Sequence, residues 1–371
     1  MKLKFVAPCL FGIEGLLGDE LRSMGAENVN AENGRVLFEG DEFMLARANL
    51  CSRYAERILI LVGSFPAGSF EQLFEGVKAL PWEQFVGKDD AFPVKGWSIN
   101  SALHSIPDIQ SIVKKAVVER LKSKYNISWF AETGPVYQIQ FSILKNMASL
   151  MIDTSGEGLH KRGYRANATA APIKETLAAA MAYIAHIYPD STLYDPLCGS
   201  GTILIEGALM VNNIAPGLKR SFAAERFRCF SDPIWREERT RAQDNIKRAA
   251  DFQAIGNDVD ENALKLTEQN AKLAGVASQF KLQKKDIADF AREGERGLII
   301  TNPPYGERLL DIKEAETIYK TMGQVFHQQK GWRYYIISPH EEFETVFGRP
   351  ADKRRKLYNG MIKCQMFMYF R

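Results

Sequence analysis

The sequence predicts a doubly wound α/β sheet in the C-terminal half of the chain, closed by an antiparallel hairpin and preceded by a smaller α+β half. Three stretches carry that expectation. Thr192-Leu193-Tyr194 runs into Asp195-Pro196-Leu197-Cys198-Gly199-Ser200-Gly201-Thr202 and then an apolar stretch to Val211, which is strand, glycine turn, helix. Gly297-Leu298-Ile299-Ile300 reads as a buried strand, and Asn302-Pro303-Pro304-Tyr305 ends it, because two prolines cannot continue a ladder. Asn359-Gly360 between two alternating runs is a strong short-range hairpin signal.

Composition bounds the rest. The 371 residues suit two domains or a little more, and 46% hydrophobic with 25% charged residues describes an ordinary folded protein. No apolar run approaches the roughly 20 residues of a membrane span, and Met1-Lys2-Leu3-Lys4-Phe5 opens straight into a strand-like run, so a soluble, cytoplasmic protein is expected. The five cysteines (Cys9, Cys51, Cys198, Cys229, Cys364) form no C-x-x-C pair, which argues against a zinc site and a disulfide framework. A net charge of +3 is too mild to identify a nucleic-acid partner, so local clusters must carry that argument.

In the N-terminal half, 2–7, 35–38 and 57–62 read as strands, with helices over 13–24 and around Phe43 to Leu50. A second unit follows from about residue 65, with helical spacing from Phe70 to Val77, a strand at Trp97 to Asn100 and a clear helix from Pro107 to Lys124. The far face of that helix carries Lys114 and Lys115, either a solvated face or a phosphate contact. Alternating runs at 136–144 and 147–152 form a hairpin. The glycine-rich, basic stretch from Asp153 to Arg165 then marks the boundary near residue 160; its His160, Lys161, Arg162 and Arg165 with Tyr164 are either a phosphate-and-base site or a polar linker.

The second half opens with a helix after Pro172, and beyond the glycine turn an insertion at 214–250, rich in arginine and aromatics, either contacts substrate or covers the sheet; its tail, Arg239 to Ala250, reads as helix. Strands at 254–258, 280–283, 297–300 and 334–337 alternate with helices, one of them ending at Gly275.

The glycine turn lacks G-x-G-x-x-G and the Walker lysine, which disfavours ATP. Gly199 and Gly201 let backbone approach a ligand, and the helix opening at Thr202 suits a carboxylate. Asp195 suits a cation, so a zwitterionic amino-acid moiety satisfies both. Cys198 lies in the turn as a packing residue rather than a nucleophile. Asp258 stands where this architecture holds ribose hydroxyls. Asp286 either meets an adenine amino group or caps the next helix. Asn302 and the carbonyl of Pro303 offer two acceptors for an exocyclic amine, and Tyr305 offers a stacking face.

Asp195 to Thr202, Asn302 to Tyr305, the linker from Asp153 to Arg165 and the closing Lys356-Leu357-Tyr358-Asn359-Gly360 together resemble the THUMP-containing class I methyltransferases that modify RNA guanines on N2, over nearly the whole chain. The likeness is to the N-terminal half of the bacterial enzymes acting on large-subunit rRNA. It implies a ferredoxin-like unit at 1–64, a THUMP RNA-binding unit at 65–160 and a Rossmann-like catalytic domain at 161–371. It further implies S-adenosylmethionine held by Asp195, Cys198, Gly199, Gly201, Thr202, Asp258, Asp286 and Asn302, with 23S rRNA or a ribosome assembly intermediate as partner and no metal. Lys114, Lys115, Lys161, Arg162 and Arg165 are the expected RNA contacts. The same Asn-Pro-Pro-Tyr motif serves adenine-N6 methylation of DNA and glutamine methylation of proteins, and tRNA guanine-N2 methylation or a noncatalytic RNA-binding assembly factor are the other readings.

Overall fold

In the computed structural model the chain folds into two seven-stranded sheets, and the structure describes residues 2–165, 173–230, 232–247, 251–306 and 311–370. The first sheet contains β1 (Leu3–Pro8), β2 (Glu27–Glu32), β3 (Arg35–Gly40), β4 (Leu59–Pro66), β5 (Val94–Ile99), β6 (Ile139–Leu144) and β7 (Met147–Asp153), in the order β2-β3-β1-β4-β7-β6-β5. Helices α1 (Glu14–Ser23), α2 (Glu42–Cys51), α3 (Phe70–Ala79) and α4 (Ile106–Tyr125) pack on it.

The sequence expects two separate small units here, whereas β4 joins them into one sheet. It pairs with β1 through Phe5↔Ile60 and with β7 from Leu59↔Asp153 to Pro66↔Met147. The expected division after residue 64 falls inside that strand. β2 lies outside the sequence expectation: Glu-Asn-Val-Asn-Ala-Glu has only Val29 and Ala31 as apolar residues, and its pairing with β3 across Asn33-Gly34 makes it a strand.

The second half comprises α5 (Glu175–Ile184), β8 (Thr192–Asp195), α6 (Thr202–Val211), α7 (Asp232–Asp244), β9 (Gln253–Asp258), α8 (Glu261–Ala274), β10 (Phe280–Lys284), β11 (Gly297–Thr301), α9 (Ile312–Val325), β12 (Trp332–Ser338), α10 (Phe343–Phe347), β13 (Lys353–Asn359) and β14 (Ile362–Tyr369). Its order is β10-β9-β8-β11-β12-β14-β13. The strands from β10 to β12 are parallel, and β14 and β13 close the sheet as the expected antiparallel hairpin. The chain winds outward from β8 through β9 to β10 and then restarts at β11 on the other side of β8. That reversal is a topological switch point, where α/β sheets open a crevice beyond the carboxyl ends of their strands.

Leu193, Ile299 and Ile300 are fully buried, as strands covered on both faces require. Pro172 as the first helical residue, Glu307 and Arg308 after the Asn-Pro-Pro-Tyr stretch, and Ala250 as a helix end lie outside the described residues. Helix α7 ends at Asp244, so the helix expected over Arg239 to Ala250 starts earlier in the sequence than its charge pattern suggested.

The basic, aromatic insertion fastens the two halves together. Its Phe222, Phe227, Phe230 and Trp235 are buried, and Phe227 stacks on Tyr137 of the first half with ring centroids 4.0 Å apart. Arg47 on α2 forks onto Glu238 of α7 at 2.6 and 3.0 Å. Arg220 donates to the carbonyls of Glu157 and Gly158 in the linker. These aromatics bury apolar area in the joint, a use their sequence alone does not distinguish from base stacking.

Candidate active site

The carboxyl ends of four neighbouring strands bring the expected residues to one edge of the sheet. Asp195 ends β8, Asp258 ends β9, Asn302 follows β11, and Asp286 follows β10 by two residues. Strands β8 and β11 are hydrogen-bonded neighbours, in register at Leu298↔Leu193 and Ile299↔Tyr194. Across the switch point between them, the buried Thr301 hydroxyl donates to Asp195 Oδ1 at 2.8 Å. Asn302 and the glycine turn therefore follow the ends of two adjacent strands at the same edge of the sheet.

The turn is shaped from beneath. Gly199 (φ +53°) and Gly201 (φ +76°) both take left-handed backbone, which glycine adopts without steric cost. Gly199 N–H donates to Asp258 Oδ2 at 2.9 Å, Thr267 Oγ1 donates to Gly199 O at 2.7 Å, and Asn270 Nδ2 donates to Ser200 O at 3.0 Å. Thr267 and Asn270 are buried polar residues of α8 that sequence reading missed; their signal is polar side chains three apart on the helix's inner stripe. A Cβ on Gly199 would meet nothing within 4 Å, so space lies open in front of that turn, whereas one on Gly201 would come within 2.5 Å of Thr267 Cγ2. Gly201→Ala is expected to destabilise the protein by about 1–2 kcal/mol from the left-handed backbone alone, with the clash added, and to weaken nucleoside binding at the turn. A thermal melt and a calorimetric titration read the two effects.

The charges at this edge differ in burial. Asp195 is 2% exposed. Burial pushes its carboxyl up to about 7, against the hydrogen bonds from Thr301 and the Leu197 N–H, and nearby Asp258 adds to the rise. Asp258 is half-buried, with its second oxygen accepting from Asp260 N–H at 2.9 Å. Asp286 is exposed and accepts from Ala288 N–H at 2.8 Å, so it does cap the following turn. Cys198 is buried beneath the turn, and burial raises its thiol well above the ordinary range, as a packing residue requires. A buried carboxylate with no cationic partner among the described residues, an open glycine turn and a helix N-terminus at Thr202 fit a nucleoside bearing a zwitterionic amino-acid group.

On the other side of the switch point, Asn302 Oδ1 accepts from the Tyr305 hydroxyl. That hydroxyl also accepts from Asn359 Nδ2 at 3.4 Å and lies 4.0 Å from Cys364 Sγ, both in the closing hairpin. Tyr319 of α9, fully buried, donates to Pro304 O at 2.8 Å and accepts from Ser338 Oγ at 3.2 Å, so the two-proline turn is held from below. Pro303 is buried, while Asn302 and Tyr305 are half-buried at the crevice.

Of the five basic residues expected to meet RNA, Lys115 and Lys161 are exposed; Lys161 pairs with Glu157 at 3.1 Å. The others turn inward. Arg162 is 3% exposed, donates to the carbonyls of Leu159 and Arg53, and sits 3.5 Å from the buried Glu206. Arg165 donates to Thr202 Oγ1 at 2.7 Å and to Ile173 O. Lys114 pairs with Glu132, donates to Phe92 O and lies 3.6 Å over the Phe92 ring. The linker carbonyl of Leu159 and the buried Glu206 need donors, and Arg162 supplies them. Among the described residues no cluster of three or more potential metal ligands occurs, and no helix is long and apolar enough to cross a membrane.

Residues 162–367 match the family described as RMKL-like, methyltransferase domain; residues 4–59 match the RlmL ferredoxin-like domain and 67–153 the THUMP domain. "Putative RNA methyltransferase YpsC" of Bacillus subtilis strain 168 is 42% identical over 372 residues, covering 100% of this chain and 96% of that protein. "Ribosomal RNA large subunit methyltransferase K/L" of Cellvibrio japonicus strain Ueda107 is 34% identical over 99% of this chain, which spans 51% of that relative's length. The crystal structure of SMU.472 complexed with SAH matches with a TM-score of 0.94 at 41% identity, covering 100% of this chain and 98% of that one.

Proposed function

The chain belongs to the RMKL-like methyltransferase family, and from that premise we propose that it methylates the exocyclic N2 of a guanosine in large-subunit rRNA. It is an S-adenosylmethionine-dependent methyltransferase of the kind that acts on RNA. The observation that carries the reading is the Thr301–Asp195 bond, which ties the strand that precedes Asn302 to the strand that leads into the glycine turn.

When bound, S-adenosylmethionine supplies an electrophilic methyl group on a sulfonium. Asp195 would hold its cationic groups, the Gly199–Gly201 backbone and the Thr202 helix end its carboxylate, Asp258 the ribose hydroxyls and Asp286 the adenine amine, with Cys198 packed beneath the turn. Asn302 Oδ1 and the Pro303 carbonyl would accept the two hydrogens of the guanine amine and turn its lone pair toward the methyl; the N–C bond would form as the C–S bond breaks, the thioether S-adenosylhomocysteine would leave, and the methylated amine would give up one proton to water. A carbonyl oxygen has two lone pairs, so Asn302 can serve the amine while keeping the Tyr305 hydroxyl. Tyr305 supplies the stacking face. An exocyclic guanine nitrogen is a poor nucleophile, and orientation is the main contribution side chains of this kind can make. Extruding the base from its helix costs a few kcal/mol, which phosphate contacts by Lys115, Lys161 and the THUMP unit offset.

Mass-spectrometric nucleoside analysis of rRNA and tRNA from a strain lacking the protein tests this. Loss of N2-methylguanosine from large-subunit rRNA alone is expected. Loss of N6-methyladenosine, loss confined to tRNA, or an unchanged profile each overturns it, the last in favour of a noncatalytic RNA-binding role.

A further inference from the structure

Strand β12 ends at Ser338, paired with Gln365, so the turn between β13 and β14 overshoots the carboxyl ends of the parallel strands. The part that overhangs is the part that touches the active site, through Asn359 Nδ2 on the Tyr305 hydroxyl at 3.4 Å. From Lys353 to Lys363 this hairpin reads Lys-Arg-Arg-Lys-Leu-Tyr-Asn-Gly-Met-Ile-Lys, five cations and no carboxylate. Arg354 is committed to Glu344 and Arg355 to the carbonyl of Gly12. Lys356 and Lys363 are exposed, and among the described residues no ion pair involves either of them. Lys356 Nζ lies 5.3 Å from the Tyr358 ring, and Lys363 is the direct cross-strand partner of Tyr358, so all three share one face of the hairpin.

The N-terminal unit reaches across to this face. Phe11, 53% exposed, meets Tyr358 edge-on with ring centroids 5.6 Å apart. The approach requires Gly12, at φ +93°, where a Cβ would fall 2.6 Å from the Lys356 carbonyl oxygen. Glu14, the carboxylate nearest in sequence, is occupied by the N–H groups of Gly12 and Gly34 and holds the loop in shape. At the turn itself Met361 is 98% exposed. Half-exposed aromatics interleaved with lysines, on the hairpin face opposite the one whose Asn359 and Cys364 meet Tyr305, are the chemistry of a single-stranded nucleic-acid platform a short way round the hairpin from the candidate site: rings for base faces, ammonium groups for phosphates.

We infer that Phe11, Tyr358, Lys356 and Lys363 form an RNA-contact surface that receives the unpaired nucleotides flanking the target base. The inference rests on the reading of Asn302 to Tyr305 as the target-base site. It gives the N-terminal unit a direct part in substrate docking, separate from the THUMP unit.

The test measures binding of deproteinised large-subunit rRNA, taken from a strain lacking the protein, to the full chain with S-adenosylhomocysteine present. Phe11→Ala/Tyr358→Ala is expected to weaken binding about tenfold without changing its salt dependence. Lys356→Glu/Lys363→Glu is expected to weaken it and to flatten the log–log salt slope by about 1.4, two single-strand phosphate contacts. Affinity and slope within twofold of wild type in both variants overturn the inference. So does a matching loss of S-adenosylhomocysteine affinity, which would mark these residues as structural. Failure of the functional reading is distinct: wild-type protein would then bind rRNA but transfer no methyl group to it.

Discussion

Asn302→Ala is expected to lower kcat for methyl transfer by roughly 10²–10³-fold, the range seen when one oriented polar group is removed from a reacting centre, while the affinity for S-adenosylhomocysteine stays within a few-fold of wild type. The separation follows from how the residue is held. Thr301 immediately before it is buried and bound to Asp195, and Pro303 and Pro304 immediately after it have restricted backbones, the second gripped by the Tyr319 hydroxyl at 2.8 Å. The alanine variant therefore keeps the path of the chain and loses only the amide. What disappears is one acceptor for the target amine and the partner of the Tyr305 hydroxyl, neither of which belongs to the glycine turn. Single-turnover kinetics with rRNA, paired with calorimetry of S-adenosylhomocysteine, separates the two effects. Activity within twofold of wild type would remove Asn302 from the chemistry, and a parallel collapse of nucleoside binding would make it a structural residue of the crevice.

The parts of this site that sequence reading located are those whose local chemistry has one meaning. Two prolines end β11, an Asn-Gly pair turns the closing hairpin, and glycines before an apolar helix make the turn over β8. What escaped reading depends on partners distant in the chain. Thr267, Asn270 and Thr301 are ordinary polar residues until the fold buries them beneath Gly199, Ser200 and Asp195. Arg162 and Arg165 look like phosphate ligands by type, and their direction is decided by Glu206, Thr202 and the bare linker carbonyls, which no spacing reveals. The insertion aromatics are ambiguous for the same reason, since a buried joint and a base-stacking surface draw on the same residues. Strand β2 shows the complementary limit: a polar segment becomes a strand because β3 offers it a ladder, not because its own pattern asks for one.

The second large effect is expected in the pH dependence of nucleoside binding. Asp195 is fully desolvated by Thr301, the turn and the strand ends, and its carboxyl is raised to about 7 in the absence of a cation. Its folded value lies above the unfolded one, so on the protein alone the group favours the native state at acid pH and loses that contribution as pH rises from about 4 to about 7. A cationic ligand reverses the preference, because ammonium or sulfonium beside the carboxylate stabilises the charged form. Binding of S-adenosylmethionine at pH 6 must then expel about 0.9 of a proton, and its affinity should be about tenfold weaker at pH 6 than at pH 8, levelling off above 7. Asp195→Asn should abolish both the slope and the proton release while weakening binding at pH 8 by about 1.5–3 kcal/mol, the contribution of a charge-assisted contact. Calorimetry in two buffers of different ionisation enthalpy reads the proton directly. S-adenosylhomocysteine carries the same ammonium without the sulfonium, so a slope shared by both ligands places the ammonium at Asp195, and a slope for S-adenosylmethionine alone places the sulfonium there. A flat profile for both would mean that Asp195 meets neither cation, leaving its burial beside Thr301 to be explained by the fold rather than by the cofactor.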